Sequence, residues 1–368
     1  NANSMITKEN KYMPQIVFHP GETLSEKLEE MNMGPTEFAI RTGKPEKTII
    51  AVLKGESSIT PDMAVLFESV TKIPAHFWMN RQRSYDEYLA RERQQTLIAE
   101  SIEWARNFPL ADMIKKGWLQ GTADIKEKTA GLLSFFGMSS PKAWHDYYFH
   151  KELKVGFSIS LAHTGDPYAI SAWLRKGELQ AEELTSTNAY SEKKFKEILS
   201  HVKGLMADHP ADFFNRLQLL CLDAGVKVVH TPCLPHAPIH GATRWLNNTP
   251  FIQLSGRYNR NDLFWFTFFH EAGHILLHGK KEIFLENMEY PDKSDAKERE
   301  ANEFAIKWTL TKEQVQEIIA KGHISSSDVM EFAKKFCTHP AIIIGRLQHD
   351  KYIHYSVGRE FFEKVELS

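Results

Sequence analysis

Cysteine is scarce in this chain and follows no pattern. Cys221, Cys233 and Cys337 stand far apart with no CxxC pair among them, which argues against a disulfide framework or a thiolate zinc ribbon and fits a reducing cytoplasm. Long apolar runs are missing too. No stretch approaches a membrane span, and the opening "NANSMITKENKYM" lacks the apolar core of a signal peptide, so a cytoplasmic protein without membrane attachment is expected. The residues before Met5 resemble an expression remnant and are set aside. Charge of one sign is lacking as well: 45 Lys and Arg against 47 Asp and Glu leave a formal charge of -2. Any contact with a polyanion must therefore come from a local patch.

What is present is length, patterned helix and one dense motif. A chain of 368 residues is too long for one ordinary core, so two or three domains are expected. After a tail at 1–18, the region 19–83 reads as short helices broken by turn signals. In "PGETLSEKLEEM" Leu24 and Leu28 repeat at a four-residue spacing. Pro45 and Pro61 stand where a first helical turn tolerates proline, Thr60 where a cap belongs, and Gly55 where a helix would stop. The result is a compact all-α module. Basic and acidic residues balance across it, which leaves a plain helical interaction module as an alternative to a DNA reader.

The stretch "TEFAIRTGKPEKTIIAVLKGESSITPDMAVLFESVTKIPAHFWMNRQRSYD" resembles the helix-turn-helix of Xre-type repressors, and more closely that of HigA-type antitoxins. That resemblance implies a second motif helix in the major groove, with Lys44, Glu46, Lys47 and Thr48 towards base edges and Lys54 near phosphate. It also implies operator DNA bound by a homodimer, and a cognate HigB-like toxin as partner.

Residues 84–215 read as a helical connecting region. "SYDEYLARERQQTLIAESIEWARNF", "KEKTAGLLSFFGM" and "SEKKFKEILSHVKGLMADH" carry helical periodicity. The aromatic stripe Phe135, Phe136, Trp144, Tyr147 and Tyr148 is expected to be core, because large aromatics dominate ordinary cores. Near Gly225 the period changes. "GVKVVHT", "GATRWL" and "PFIQLS" are β-branched and aromatic, with "NNTP" as a hairpin turn, and predict a small antiparallel sheet. Beyond Asn261 helix returns, apart from a loop at "LENMEYPDKSD".

The motif is "FFHEAGHILLHG", residues 268–279. His270 and His274 lie one helical turn apart on one face and can share one ion. Glu271, about 100° around the axis, is left free to take a proton from water. This is the HExxH arrangement: neutral imidazoles hold Zn²⁺, which lowers the pKa of its water. "LFWFTFF" and "ILL" on either side predict a buried helix, where uncompensated polar groups are costly. Small Ala272 and Gly273 would let another segment approach. Lys280 occupies the place of a metzincin's third histidine and excludes that class, and His278 is expected to close the helix end. In "KEREANEFAIKW", Glu298, Ala301, Asn302 and Ala305 share a face, which favours Glu298 over Glu300 as third ligand with Asn302 behind a ligand.

"RNDLFWFTFFHEAGHILLHGKKE" with "KEREANEFA" and "HPAIIIGRLQHDKYI" resembles the ImmA/IrrE family of zinc metallopeptidases, over about 216–355. That resemblance implies a gluzincin-like set of ligands in His270, His274 and Glu298, with Glu271 as general base and repressor-type proteins as substrate. The expected fold is multidomain and mainly α: the N-terminal helix-turn-helix domain, the helical middle region, and an α+β zincin-like domain at 216–368. Two functional readings follow. One is a DNA-binding regulator with a zinc endopeptidase, in which Tyr258, Arg257 and His240 are candidate oxyanion donors. The other is a non-catalytic antitoxin or autorepressor whose C-terminal domain binds a toxin or senses a ligand. On the first reading the thiol of Cys233, in "HTPCLPHAPIHG", is a candidate latch on the zinc, against the plainer expectation of a small buried apolar residue.

Overall fold

The computed structural model describes residues 17–148, 166–185, 188–279, 284–285, 295–365 and 367. The chain divides into two compact units, Asn1–Glu100 and Ser101–Ser368. The first holds α1 (Pro20–Glu30), α2 (Pro35–Thr42), α3 (Glu46–Leu53), α4 (Pro61–Thr71) and α5 (Ala75–Glu100). Thr60 caps as the sequence suggests, and His19 adds a cap that the sequence did not mark. Thr60 accepts from the backbone N–H of Met63, and His19 Nδ1 accepts from Gly21, each satisfying a donor that the first turn leaves open. Leu24, Leu28, Phe38, Ile49, Val52, Phe67 and Trp78 form the core. The boundary expected after residue 83 falls within α5, which continues to Glu100.

The second unit begins with short helices α6 (Ile102–Ala105), α7 (Leu110–Lys115), α8 (Ile125–Phe136) and α9 (Pro141–His145), followed by α10 (Pro167–Glu183), α11 (Glu192–Asp208) and α12 (Phe213–Asp223). Then come β1 (Lys227–His230), β2 (Gly241–Leu246), β3 (Thr249–Leu254), α13 (Asn261–His278), β4 (Phe284–Leu285), α14 (Asp295–Thr309), α15 (Lys312–Ile319), α16 (Ser326–Phe336) and α17 (Pro340–His349). The loop expected over 285–295 lies, between those two end residues, outside the described residues.

The sheet corrects one expectation. Its order is β1-β3-β2-β4, and β1 pairs with β3 in parallel while β2 pairs antiparallel with both β3 and β4. It is mixed, not purely antiparallel. The segment after His230 carries the chain past the position of β3 before β2 begins, and the tight Asn247–Asn248 turn then returns β3 between the two. Asn247 takes φ 56°, a left-handed conformation asparagine tolerates.

Two cores flank this sheet. Helices α11, α12, α13 and α15–α17 pack with Val228, Ile252 and Leu254 in one. The other collects Phe108, Leu132, Trp144, Tyr148, Trp173 and Ala242. Phe135, Phe136, Trp144 and Tyr148 are buried there with Tyr147 packed against them, so the aromatic stripe is core. Helix α10 is tied to the strands by polar contacts: Trp173 Nε1 donates to Thr231 O at 2.8 Å, and Gln253 Nε2 donates to Trp173 O at 2.7 Å. Among the described residues no helix is long and apolar enough to cross a membrane.

Candidate metal centre

Helix α13 is apolar on nearly all sides, as a helix buried on all sides must be. Phe264, Trp265, Phe268, Phe269, Ala272 and Ile275 join its core, and His270, Glu271 and His274 are at most 1% exposed. The second helix, α14, comes close because the contact residues are small. A Cβ added at Gly273 would stand 3.3 Å from Ala301 Cα and 3.2 Å from Phe304 Cβ, so α13 and α14 meet almost backbone to backbone. That approach carries Glu298 to the two histidines.

His270 Nε2 and His274 Nε2 lie 3.0 Å apart. Glu298 places Oε2 3.2 Å from the first and Oε1 3.4 Å from the second. One ligand atom from each of the three residues lies within 4.8 Å of the others. Two Zn–N bonds of 2.0–2.1 Å at a tetrahedral angle would separate their nitrogens by about 3.4 Å, so the spacing suits a zinc-sized ion.

The outer nitrogens fix the tautomers. His270 Nδ1 is 3.0 Å from Asn302 Oδ1, an acceptor, so Nδ1 carries the proton and Nε2 presents a lone pair. On the other ring, His278 Nε2 is 2.9 Å from Glu300 Oε2, which puts the proton of that imidazole on Nε2. Its Nδ1 therefore accepts from His274 Nδ1 across 3.0 Å, leaving His274 Nε2 as a lone pair as well. Two lone pairs 3.0 Å apart beside a carboxylate form a donor set that a divalent cation neutralises. Protonation states agree. Burial first, and then His270 nearby, outweigh the pull of Glu298 and hold His274 down to about 4. Burial alone would raise Glu298, but the imidazoles of His270 and His274 that flank its carboxyl outweigh it and bring it down to about 2. Neutral imidazole with ionised carboxylate is what metal binding needs.

Glu271 faces the sheet. Its Oε2 accepts from Thr243 Oγ1 at 2.6 Å, and its main-chain oxygen lies 3.0 Å from the same hydroxyl. A Cβ on Gly241 would stand 2.7 Å from Glu271 Oε1, so only glycine fits at that point of β2. Neither Thr243 nor Gly241 was legible as a site residue, although "GATRWL" alternates so that both point to one face.

The other expected positions divide. Glu300 lies outside the trio, its side chain 60% exposed and bonded to His278; the α14 face that holds Glu298 turns it outward. His278 closes the helix end as expected and also meets His274 Nδ1. Cys233 donates to Ile239 O at 3.6 Å and does not belong to the cluster, so the thiol latch is not carried further. His240 and Arg257 line a narrow cleft with Thr267, next along from Gly241, and burial, then Arg257, lowers His240 to about 4. The Tyr258 side chain lies outside the described residues. In the first unit Glu46, Lys47 and Lys54 are exposed and Lys44 and Thr48 partly so. They gather at the two ends of α3, where Glu46 accepts from Thr36 Oγ1 at 2.5 Å.

Comparison with known proteins adds two similarities. The family model for the IrrE N-terminal-like domain, a peptidase family, matches residues 221–341. An uncharacterized HTH-type transcriptional regulator of Escherichia coli (strain K12), YddM, is 30% identical over 66 residues, covering 18% of this chain and 70% of that protein. Among solved structures, an addiction module antidote protein of a HigA family from Coxiella burnetii is 30% identical, covers 23% of this chain and 92% of its own, and has a TM-score of 0.22. The Pseudomonas aeruginosa antitoxin HigA with higBA promoter is 28% identical, with 23% and 91% covered and a TM-score of 0.22.

Proposed function

The chain belongs, through its N-terminal unit, to the HTH-type transcriptional regulators and carries an IrrE N-terminal-like domain behind it, and from that premise we propose a DNA-binding regulator that is also a zinc-dependent endopeptidase. The observation that carries the second half is the buried His270 and His274 gathered with the half-buried Glu298, with the buried Glu271 one residue from a ligand. Held by that trio, Zn²⁺ would supply Lewis acidity, polarising a peptide carbonyl and lowering the pKa of water in the site. Glu271 takes the proton from that water and returns it to the leaving amine. Asn302 and His278 keep both Nε2 lone pairs directed inward throughout. A purely structural zinc site would have no use for a buried carboxylate beside its ligands, which favours catalysis over a silent docking domain.

The substrate class proposed is a repressor-type protein, the class to which the chain's own first unit belongs. The probe is that unit, residues 17–100, supplied as a separate polypeptide to the zinc-loaded full chain. Cleavage is expected, and Glu271→Gln should reduce it by about 10²–10⁴-fold while zinc is retained. Equal cleavage by Glu271→Gln would reject this site as the source of the activity.

For the N-terminal unit the proposal is operator binding as a homodimer. Lys44, Lys47 and Thr48 at the start of α3 would read the major groove, with Lys54 at phosphate.

A further inference from the structure

We propose that Thr243 is a positioning residue that sets the Glu271 carboxylate in place. The catalytic consequence rests on the peptidase reading above; the geometry does not.

Strand β2 presents alternate residues to opposite faces. Gly241 and Thr243 turn towards α13, whereas Ala242 enters the second core and Arg244 donates to Leu174 O on α10. Thr243 sits between two ladders, opposite Ile252 of β3 and Phe284 of β4. Its side chain is 1% exposed and β-branched, so its rotamer is held by sterics as well as by pairing. The hydroxyl thus stands at a fixed point of the sheet and reaches Glu271 Oε2 at 2.6 Å.

The same hydroxyl lies 3.0 Å from the Glu271 main-chain oxygen, but it has one proton. The shorter contact assigns that proton to the carboxylate. On the opposite flank Gly241 leaves just enough room for Oε1. The carboxylate is clamped between a donor and a wall. A general base displaced by about 1 Å forfeits on the order of 10²-fold in rate, so the clamp governs turnover while the substrate-binding surface and the metal ligands stay as they are.

A double-mutant cycle on the full chain separates this role from ordinary packing. Thr243→Val keeps shape and removes the donor; Thr243→Ser keeps the donor. Thr243→Val should lower the melting temperature of the unit that holds the site by roughly 2–4 °C, and by less than about 1 °C when Glu271→Ala is already present. Thr243→Ser should stay close to the parent. Equal losses in the two backgrounds mean the hydroxyl serves the main-chain oxygen alone, and overturn the proposal. With internally quenched peptides drawn from residues 17–100 as probe, Thr243→Val should lower kcat by at least about tenfold with KM within about twofold and unchanged zinc content. Rescue by Thr243→Ser supports the proposal, and an undiminished kcat in Thr243→Val refutes it. Should the parent cleave none of these peptides, the substrate reading fails and the melting cycle decides the placement of Glu271 by itself.

Discussion

Replacing Asn302 by leucine removes the acceptor of His270 Nδ1 and leaves both proposed ligand nitrogens in place. Outer partners of metal-bound histidines are worth about 10–100-fold in metal affinity, roughly 1.4–2.8 kcal/mol. The structure places this one at the low end. His270 is buried, but Asn302 is exposed on the surface of α14, so water can take over part of its role. Without the amide oxygen the ring also gains access to the other tautomer, whose proton sits on Nε2 and blocks the lone pair needed for the ion. The expected outcome is about a tenfold weaker zinc affinity, measured by competition with a chromophoric chelator near neutral pH, with helical content unchanged. Asn302→Asp keeps an acceptor and adds charge, so it should bind zinc at least as tightly as the parent. An Asn302→Leu variant with parental zinc affinity would refute the assignment of His270 as a ligand oriented through Nδ1.

Glu298→Gln should strip zinc from the chain, whereas Glu300→Gln, which only loosens His278 behind His274, should keep it within about tenfold; metal analysis of the two variants decides. Gly273→Val drives methyls into Phe304 and Ala301 and should cost about 1–3 kcal/mol as overpacking, read as a lower melting temperature with reduced zinc content. His209 accepts from Trp265 Nε1 at 3.0 Å, and burial, then His339, lowers it to about 4. Between about pH 6.5 and that value the unfolded chain binds a proton the folded chain refuses, so stability is full above the window and falls as pH drops through it; His209→Gln should flatten that decline in melts from pH 7.5 to 4.5. Lys54→Ala should weaken binding to all sequences alike as a phosphate contact, and Thr48→Ala should relax preference at one base position; a gel-shift series without sequence preference for residues 17–100 would remove the operator reading.

Much of the site was legible because its spacing is local. His270, Glu271 and His274 follow from helical period alone, and the face shared by Glu298, Ala301, Asn302 and Ala305 follows from the same arithmetic applied to a second helix. The small residues on both helices carried the approach. What spacing could not give was the partner of each group across the fold. Thr243 meets Glu271 from 28 positions upstream, and nothing in "GATRWL" marks a threonine that faces a carboxylate. His278 closes the helix and lies one turn too far along to reach the trio, as expected, but spacing alone did not show that the same offset puts its ring on His274. The parallel pairing of β1 with β3 was also out of reach, since strand composition does not say on which side of a neighbour the next strand lands.

The helical connecting region shows how a segment without chemistry of its own can bear on the site. Arg244 is buried, 7% exposed, and its charge is met from α10, by Leu174 O and by Glu178 at 3.8 Å. Arg175 of α10 holds Glu178 in turn, at 2.6 Å. A chain cut at residue 216 would take away both of these partners and leave Arg244 with the Phe251 ring, 4.9 Å from its guanidinium carbon. Its neighbour on β2 is Thr243, on the opposite face, against Glu271. Within the compact unit Ser101–Ser368, strand β2 thus carries an arginine held by α10 on one face and Thr243, the Glu271 donor, on the other.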